Sequence, residues 1–187
     1  MEQSVRGVAS ALLLVGAAAT WLLALPVNSA LARDPSLNYR RVEALAPSSY
    51  FIDFRARPSS YIGHTYIVYG RLDADGGVAE LHYAGLIPEH DVWQGLFVPI
   101  EATVRQYKDD TKYLPTAIYR RRLNPEEYQR VTRRVRYLQA TEHRWHAVFQ
   151  NCNSFAIDIA DILGLGRPPS LLPPSVWVGM LRVLNER

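Results

Sequence analysis

Residues 61–87, YIGHTYIVYGRLDADGGVAELHYAGLI, decide the fold. Positions 61–72 and 78–87 alternate in polarity with the period-two rhythm of half-buried strands, and both runs are rich in β-branched and aromatic residues. Between them Asp73, Ala74, Asp75, Gly76 and Gly77 form a turn cluster whose glycines accept positive φ. The stretch predicts a β-hairpin. Working outward, residues 50–54 read as a preceding strand, 96–104 as a following one with Pro99 marking an edge or bulge, and 116–123 as another. The first half of the chain is therefore expected to be an antiparallel sheet.

From residue 124 the period turns helical. Asn124 offers an N-cap side chain, Pro125 fits the first helical position, and Glu126 and Glu127 place an acid to reach back as in a capping box. Tyr128, Val131, Val135 and Leu138 then recur at helical spacing, with Arg130, Arg133, Arg134 and Arg136 mostly elsewhere on the wheel. A second helix is predicted over about 151–163, with Phe155, Ile159, Ile162 and Leu163 apolar and Gly164 as its stop. A proline-rich connector over 166–174 precedes a terminal helix to 184, capped by Ser175, whose Val176, Trp177, Met180, Leu181 and Leu184 should pack on the body. The pattern defines an α+β domain with helices segregated from an antiparallel sheet.

The composition allows such a core. In 187 residues, 48% are hydrophobic and 21% charged, which excludes a disordered tail, a collagen-like rod and a polytopic membrane protein. The single cysteine, Cys152, rules out an internal disulfide or a multi-cysteine metal cage, and no metal or cofactor is expected. Residues 7–25 carry no charge and follow Arg6; Pro26 breaks the run, and Ala30 and Ala32 supply an A-x-A cleavage site. Residues 1–32 thus read as a signal peptide and 33–187 as one domain that opens with a loop or short helix over 33–49. Export to the periplasm or the outside is expected; an uncleaved leader would instead be long enough to anchor the chain in a bilayer.

The net charge of +3 is unevenly spread. Between residues 119 and 144 lie eight arginines, at 120, 121, 122, 130, 133, 134, 136 and 144, against Glu126, Glu127 and Glu142. An Arg-rich helix face could engage an anionic envelope surface; it could equally be a solvated helix face. No aromatic and glycine pattern of an RNA-binding sheet accompanies it, so nucleic acid is not an expected partner.

Two positions carry candidate chemistry. Cys152 sits in QNCNSFA, residues 150–156, at the opening turn of the second predicted helix. Unpaired N–H groups and the positive end of the dipole there favour a thiolate and lower its pKa. Asn151 would be the N-cap, and Gln150 could donate to a developing oxyanion. A lone cysteine is also commonly an inert core residue. His64 lies in a strand after Gly63, on one face with Ile62, Tyr66 and Val68, where it could serve as a general base or as a half-buried sheet histidine. For a third, orienting residue the first candidate is His82 on the partner strand, with Glu80 or a residue of 96–104 as substitutes. A hairpin pairing Leu72 with Val78 would leave His64 and His82 roughly 13 Å apart at about 3.3 Å per residue; only a register with a loop over 71–75 would bring them opposite each other.

A strand histidine after glycine, an adjacent hairpin strand, then Asn151-Cys152-Asn153-Ser154-Phe155 opening a helix resembles the circularly permuted papain-like cysteine enzymes: the PPPDE peptidases, the lecithin:retinol acyltransferase-like proteins and NlpC-related bacterial proteins. The resemblance covers about residues 50–165. It implies a permuted papain-like fold in which Cys152 attacks an amide, isopeptide or ester carbonyl, His64 moves its proton, and His82 or a substitute fixes the imidazole. Backbone N–H groups at the helix start, around Asn151 and Asn153, would hold the oxyanion. The substrate would be a peptide or acyl lipid of the envelope, with Trp93 and the 87–92 loop along an acceptor groove. Ser154 stands where the two eukaryotic branches have histidine, and the His64-to-His82 spacing exceeds that of the acyltransferase-like pair.

Overall fold

The structure, a computed structural model, describes residues 50–59 and 63–186. The leader over 1–32, the segment 33–49 and positions 61 and 62 of the expected hairpin lie outside the described residues. The described strands are β1 (Tyr50–Arg57), β2 (His64–Leu72), β3 (Val78–Pro88), β4 (Ile100–Arg105), β5 (Ala117–Leu123) and β6 (His143–Trp145). They form one six-stranded sheet in the order β5-β1-β2-β3-β4-β6, every neighbouring pair antiparallel. The helices are α1 (Asp109–Lys112), α2 (Pro125–Gln139), α3 (Cys152–Ile162) and α4 (Pro174–Asn185), with a 3₁₀ turn over Gln94–Leu96. This is the expected α+β class. Among the described residues no helix is long and apolar enough to cross a membrane.

The two faces of the sheet differ in kind. Ile52, Phe54, Ile67, Tyr69, Leu86 and Val104 point to the face that α2, α3 and α4 cover, where Val131, Val135, Phe155, Ile159, Trp177 and Leu181 complete one apolar core. Each such side chain contributes about 1.5–3 kcal/mol when fully buried. The other face carries a smaller cluster of Phe51, Tyr66, Val68 and Leu72 beside buried charge. There the fully buried Asp53 accepts from Arg55 and Arg120, and Arg57 donates to Asp110 of α1 at 2.7 Å.

The local signals explain the helix starts. Asn124 accepts from the Glu127 amide while the Glu127 carboxylate accepts from the Asn124 amide, the reciprocal capping box with Pro125 inside it. Asn151 and Ser154 make the same reciprocal arrangement at α3. Three expectations are corrected. The strand predicted from residue 96 begins at Ile100, because Asp91 accepts from the amides of Trp93 and Gln94 and turns Gln94–Leu96 into 3₁₀ structure. Ser175 does not cap α4, which starts at Pro174 after Pro173 with no side-chain cap. On α4 the inward residues are Trp177, Val178 and Leu181, whereas Val176, Met180 and Leu184 remain 40–46% exposed. The short β6 and α1 carry too few residues to show a periodicity in the sequence.

The hairpin register decides which side chains meet. Leu72 pairs with Val78 as expected at the loop, but Arg71 pairs with Glu80, so Ala79 is an extra residue on β3. Beyond this bulge the pairs run Gly70–Leu81, Tyr69–His82 and Val68–Tyr83. One inserted residue moves every later β3 side chain to the opposite face. His82 therefore joins Tyr69 on the helix-covered face, with ring centroids 5.2 Å apart. His64 lies on the other face, stacked near Tyr66 at 6.0 Å.

Candidate active site

Cys152 is the first residue of α3 and is buried, with 5% of its surface exposed. Three backbone N–H groups, those of Thr65, Cys152 itself and Asn153, favour the thiolate, while the Thr65 hydroxyl beside the sulfur gives its one proton to Asn153. Burial nonetheless outweighs them and pushes the Cys152 thiol above its ordinary value. This corrects the expectation from the helix start. The dipole and the free amides are present, but the sulfur is too far from water for them to win.

The residues flanking Cys152 hold it in place. Thr65 Oγ1 donates to Asn153 Oδ1 at 2.6 Å, joining β2 to α3. Asn153 Nδ2 donates to the carbonyls of Ser170 and Leu172 at 2.9 and 2.7 Å. Asn151 Nδ2 donates to Ala147 and Ser170, and its Oδ1 accepts from the Ser154 amide. The side-chain amides of Asn151 and Asn153 are thus used as ties, and the donors left at the helix start are the backbone amides of Cys152 and Asn153. Gln150 is half-buried and its backbone bridges to His146.

His64 is 7% exposed, and its Nε2 has no hydrogen-bond partner. Gly63 before it takes φ +86°, a conformation that suits glycine and turns the chain into β2. The room for the ring comes from Gly85 on β3, where a Cβ would lie 2.7 Å from Nε2. Burial first, and the neighbouring Arg57 guanidinium second, lower the His64 pKa from 6.5 to about 3. The imidazole is neutral at physiological pH, and the charged group beside it is a cation rather than a carboxylate.

Cys152 and His64 line one cavity of about 590 Å³ at the end of β2, together with Arg57, Gly63, Ile87, Asp91, Val92 and Trp145 among others. They approach it from opposite faces of the sheet, and the hydrogen-bonding groups at the sulfur include Thr65 but not His64. His82 is elsewhere. Its Nε2 lies 2.6 Å from Glu80 Oε1, and both residues line a second cavity against α2. The bulge at Ala79 thus removes His82 and Glu80 together from the expected third role. On the 96–104 segment, Glu101 faces His90 at 3.7 Å and Thr103 donates to Glu89, which also accepts from Arg105 just beyond the segment.

Several residues of the site were missed from sequence. Thr65 adjoins His64 but points to the opposite face, and only the packing of α3 on that face makes it the neighbour of Asn153. Arg57 and Asp110 are 53 positions apart and carry no local signal. Among the described residues no cluster of histidine, cysteine and acidic side chains could hold a metal ion.

The loops around the cavity are apolar and tied to one another. The Ala147 amide donates to the Gly95 carbonyl, and Asn151 links Ala147 to Ser170. On these loops Trp93, Phe97, Phe149 and Leu171 are 55–81% exposed. Of the residues expected along a groove, Ile87, Pro88, His90, Asp91 and Val92 line the cavity, whereas Trp93 does not. Comparison of the chain with known proteins finds no matching family model, no matching curated protein and no matching solved structure.

Proposed function

We propose that the protein is a thiol hydrolase or acyltransferase of the cell envelope in which Cys152 is the nucleophile and His64 the proton carrier. The observation that carries this reading is the shared cavity. A cysteine at the first turn of a helix, with backbone amides converging on its sulfur, opens with an unpartnered buried imidazole onto the same space. The exposed Trp93, Phe97, Phe149 and Leu171, on loops that hydrogen bonds tie to one another and to Asn151, favour a substrate with an apolar acyl or side-chain portion.

The chemistry follows from these groups. The Cys152 sulfur bonds to the carbonyl carbon as its proton passes to His64, and the amides of Cys152 and Asn153 hold the oxyanion. His64 then returns the proton to the departing amine or alcohol, leaving a thioester. Water completes hydrolysis, or an acceptor alcohol or amine completes transfer. The resting groups are a neutral thiol and a neutral imidazole, so attack and proton transfer are coupled, and because the two side chains reach the cavity from opposite faces of the sheet the His64 ring has to reorient towards the sulfur within it.

The test is covalent capture. A panel of aryl esters and peptide anilides of increasing acyl length is incubated with the protein, and acyl adducts are located by mass spectrometry. Acylation at Cys152, turnover lost in Cys152→Ala and slowed at least a hundredfold in His64→Ala are the expected results. Turnover retained by folded Cys152→Ala would sink the proposal.

A further inference from the structure

The second cavity, about 530 Å³ in volume, lies between the sheet and α2 and takes no part in the chemistry at Cys152. Its lining includes Tyr69, Arg71, Glu80, His82, Tyr128 and Arg136. The one carboxylate in this set is already engaged, since Glu80 lies 2.6 Å from His82 and 4.0 Å from Arg71. Arg136, exposed on α2, enters none of the ion pairs among the described residues. Positive charge is therefore in excess, and part of the Arg-rich helix faces a hollow rather than open solvent.

The neutral groups are arranged to donate. Tyr69 is 6% exposed, and burial holds its phenol protonated, its pKa pushed up to about 12. Tyr128 is shifted in the same direction, again chiefly by burial. Arg136 lines the same hollow as these two phenols. Tyr50 stacks on Tyr128 with centroids 4.3 Å apart and fixes that ring, and Gln106 and Gln139 add neutral amides to the wall. Two forked guanidinia and two phenols around one hollow offer more donors than the two oxygens of a carboxylate would use, whereas a tetrahedral oxyanion presents an acceptor to each.

We propose that this cavity binds a phosphate group, held by Arg136 and Arg71 with the hydroxyls of Tyr69 and Tyr128. The phosphate belongs either to a small soluble phosphomonoester or to a phosphomonoester lipid headgroup, which present the same oxygens. The inference is independent of the reading of Cys152. It also assigns His82 and Glu80 a place: they hold one another on the cavity wall, and Glu80 keeps the Arg71 guanidinium at its edge.

The experiment uses the full chain, its Cys152→Ala variant, and Arg136→Gln and Arg136→Lys variants whose folding is checked by circular dichroism. Inorganic phosphate is titrated calorimetrically against chloride of matched ionic strength, and sedimentation compares vesicles of phosphatidic acid with vesicles of phosphatidylcholine. Saturable phosphate binding, weakened at least tenfold in Arg136→Gln, less so in Arg136→Lys and unchanged in Cys152→Ala, is the expected result. Arg136-dependent binding confined to phosphatidic acid vesicles assigns the headgroup as the source, and binding of inorganic phosphate without vesicle preference assigns a soluble ligand. Binding as tight in Arg136→Gln as in the parent, or no saturable binding to either probe, overturns the proposal.

Discussion

Lowering the pH should destabilise this protein through His64, and the size of the effect follows from its burial. The unfolded chain takes up a proton on this imidazole near 6.5, whereas the folded protein takes it up only near 3. Between those values the unfolded state binds more protons, so stability is full above pH 6.5 and is lost as pH falls towards 3. At about 1.4 kcal/mol per pH unit below 6.5, moving from pH 7 to pH 5 removes about 2 kcal/mol. Asp110 works in the opposite sense, because burial raises its pKa and folding then favours its protonated form at low pH. Comparison with His64→Gln separates the two, since that variant keeps Asp110 and loses the titration. Urea unfolding at pH 7 and pH 5 should show the parent losing about 2 kcal/mol more than the variant. Parallel losses would refute the reasoning. So would an imidazole resonance of His64 that titrates near 6.5 in the folded protein, a measurement that needs no variant.

Three further outcomes are expected. Alkylation of Cys152 by iodoacetamide should be slow at pH 7 and keep rising above pH 8.5, where an ordinary thiol is half ionised; a rate already level at pH 7 would contradict the burial argument. Asp53→Ala should cost about 2–3 kcal/mol in chemical denaturation, below the cost of breaking a fully buried pair because Arg120 is 46% exposed and regains water; an effect under 0.5 kcal/mol would mean the pair stabilises nothing. Thr65→Val leaves Asn153 Oδ1 without its 2.6 Å donor and should cost about 1–3 kcal/mol while slowing Cys152 acylation more than it weakens substrate binding; equal effects on both would give Thr65 no positioning role.

Much of the architecture was legible because its signals are local. The strands expected over 61–72 and 78–87, the capping box at Asn124 and the cap at Asn151 each depend on residues within a few positions, and strands over 64–72 and 78–88 and both caps form. Neither strand is half-buried in alternation, because β2 is buried on both faces and β3 is exposed along its first half and buried along its second. The 3₁₀ turn at Gln94–Leu96 and the uncapped start of α4 were missed because a run of apolar residues does not distinguish a strand from a turn on an exposed loop. The face of His64 among Tyr66 and Val68 was readable, but nothing local says which face α3 would cover.

The sequence by itself determined an antiparallel sheet followed by helices, and placed the lone cysteine at a helix start and a histidine within a strand. Tertiary structure decided what those two groups are. One extra residue, Ala79, moved His82 and Glu80 to the opposite face of the sheet from His64. Packing around Cys152 raised a thiol that the helix start alone would have lowered, and enclosure against Gly85 with Arg57 alongside left His64 neutral. The reason is range: hydrogen-bonded periodicity and caps are set by residues four or fewer apart, whereas register, desolvation and charge pairing depend on which distant segments exclude water from one another.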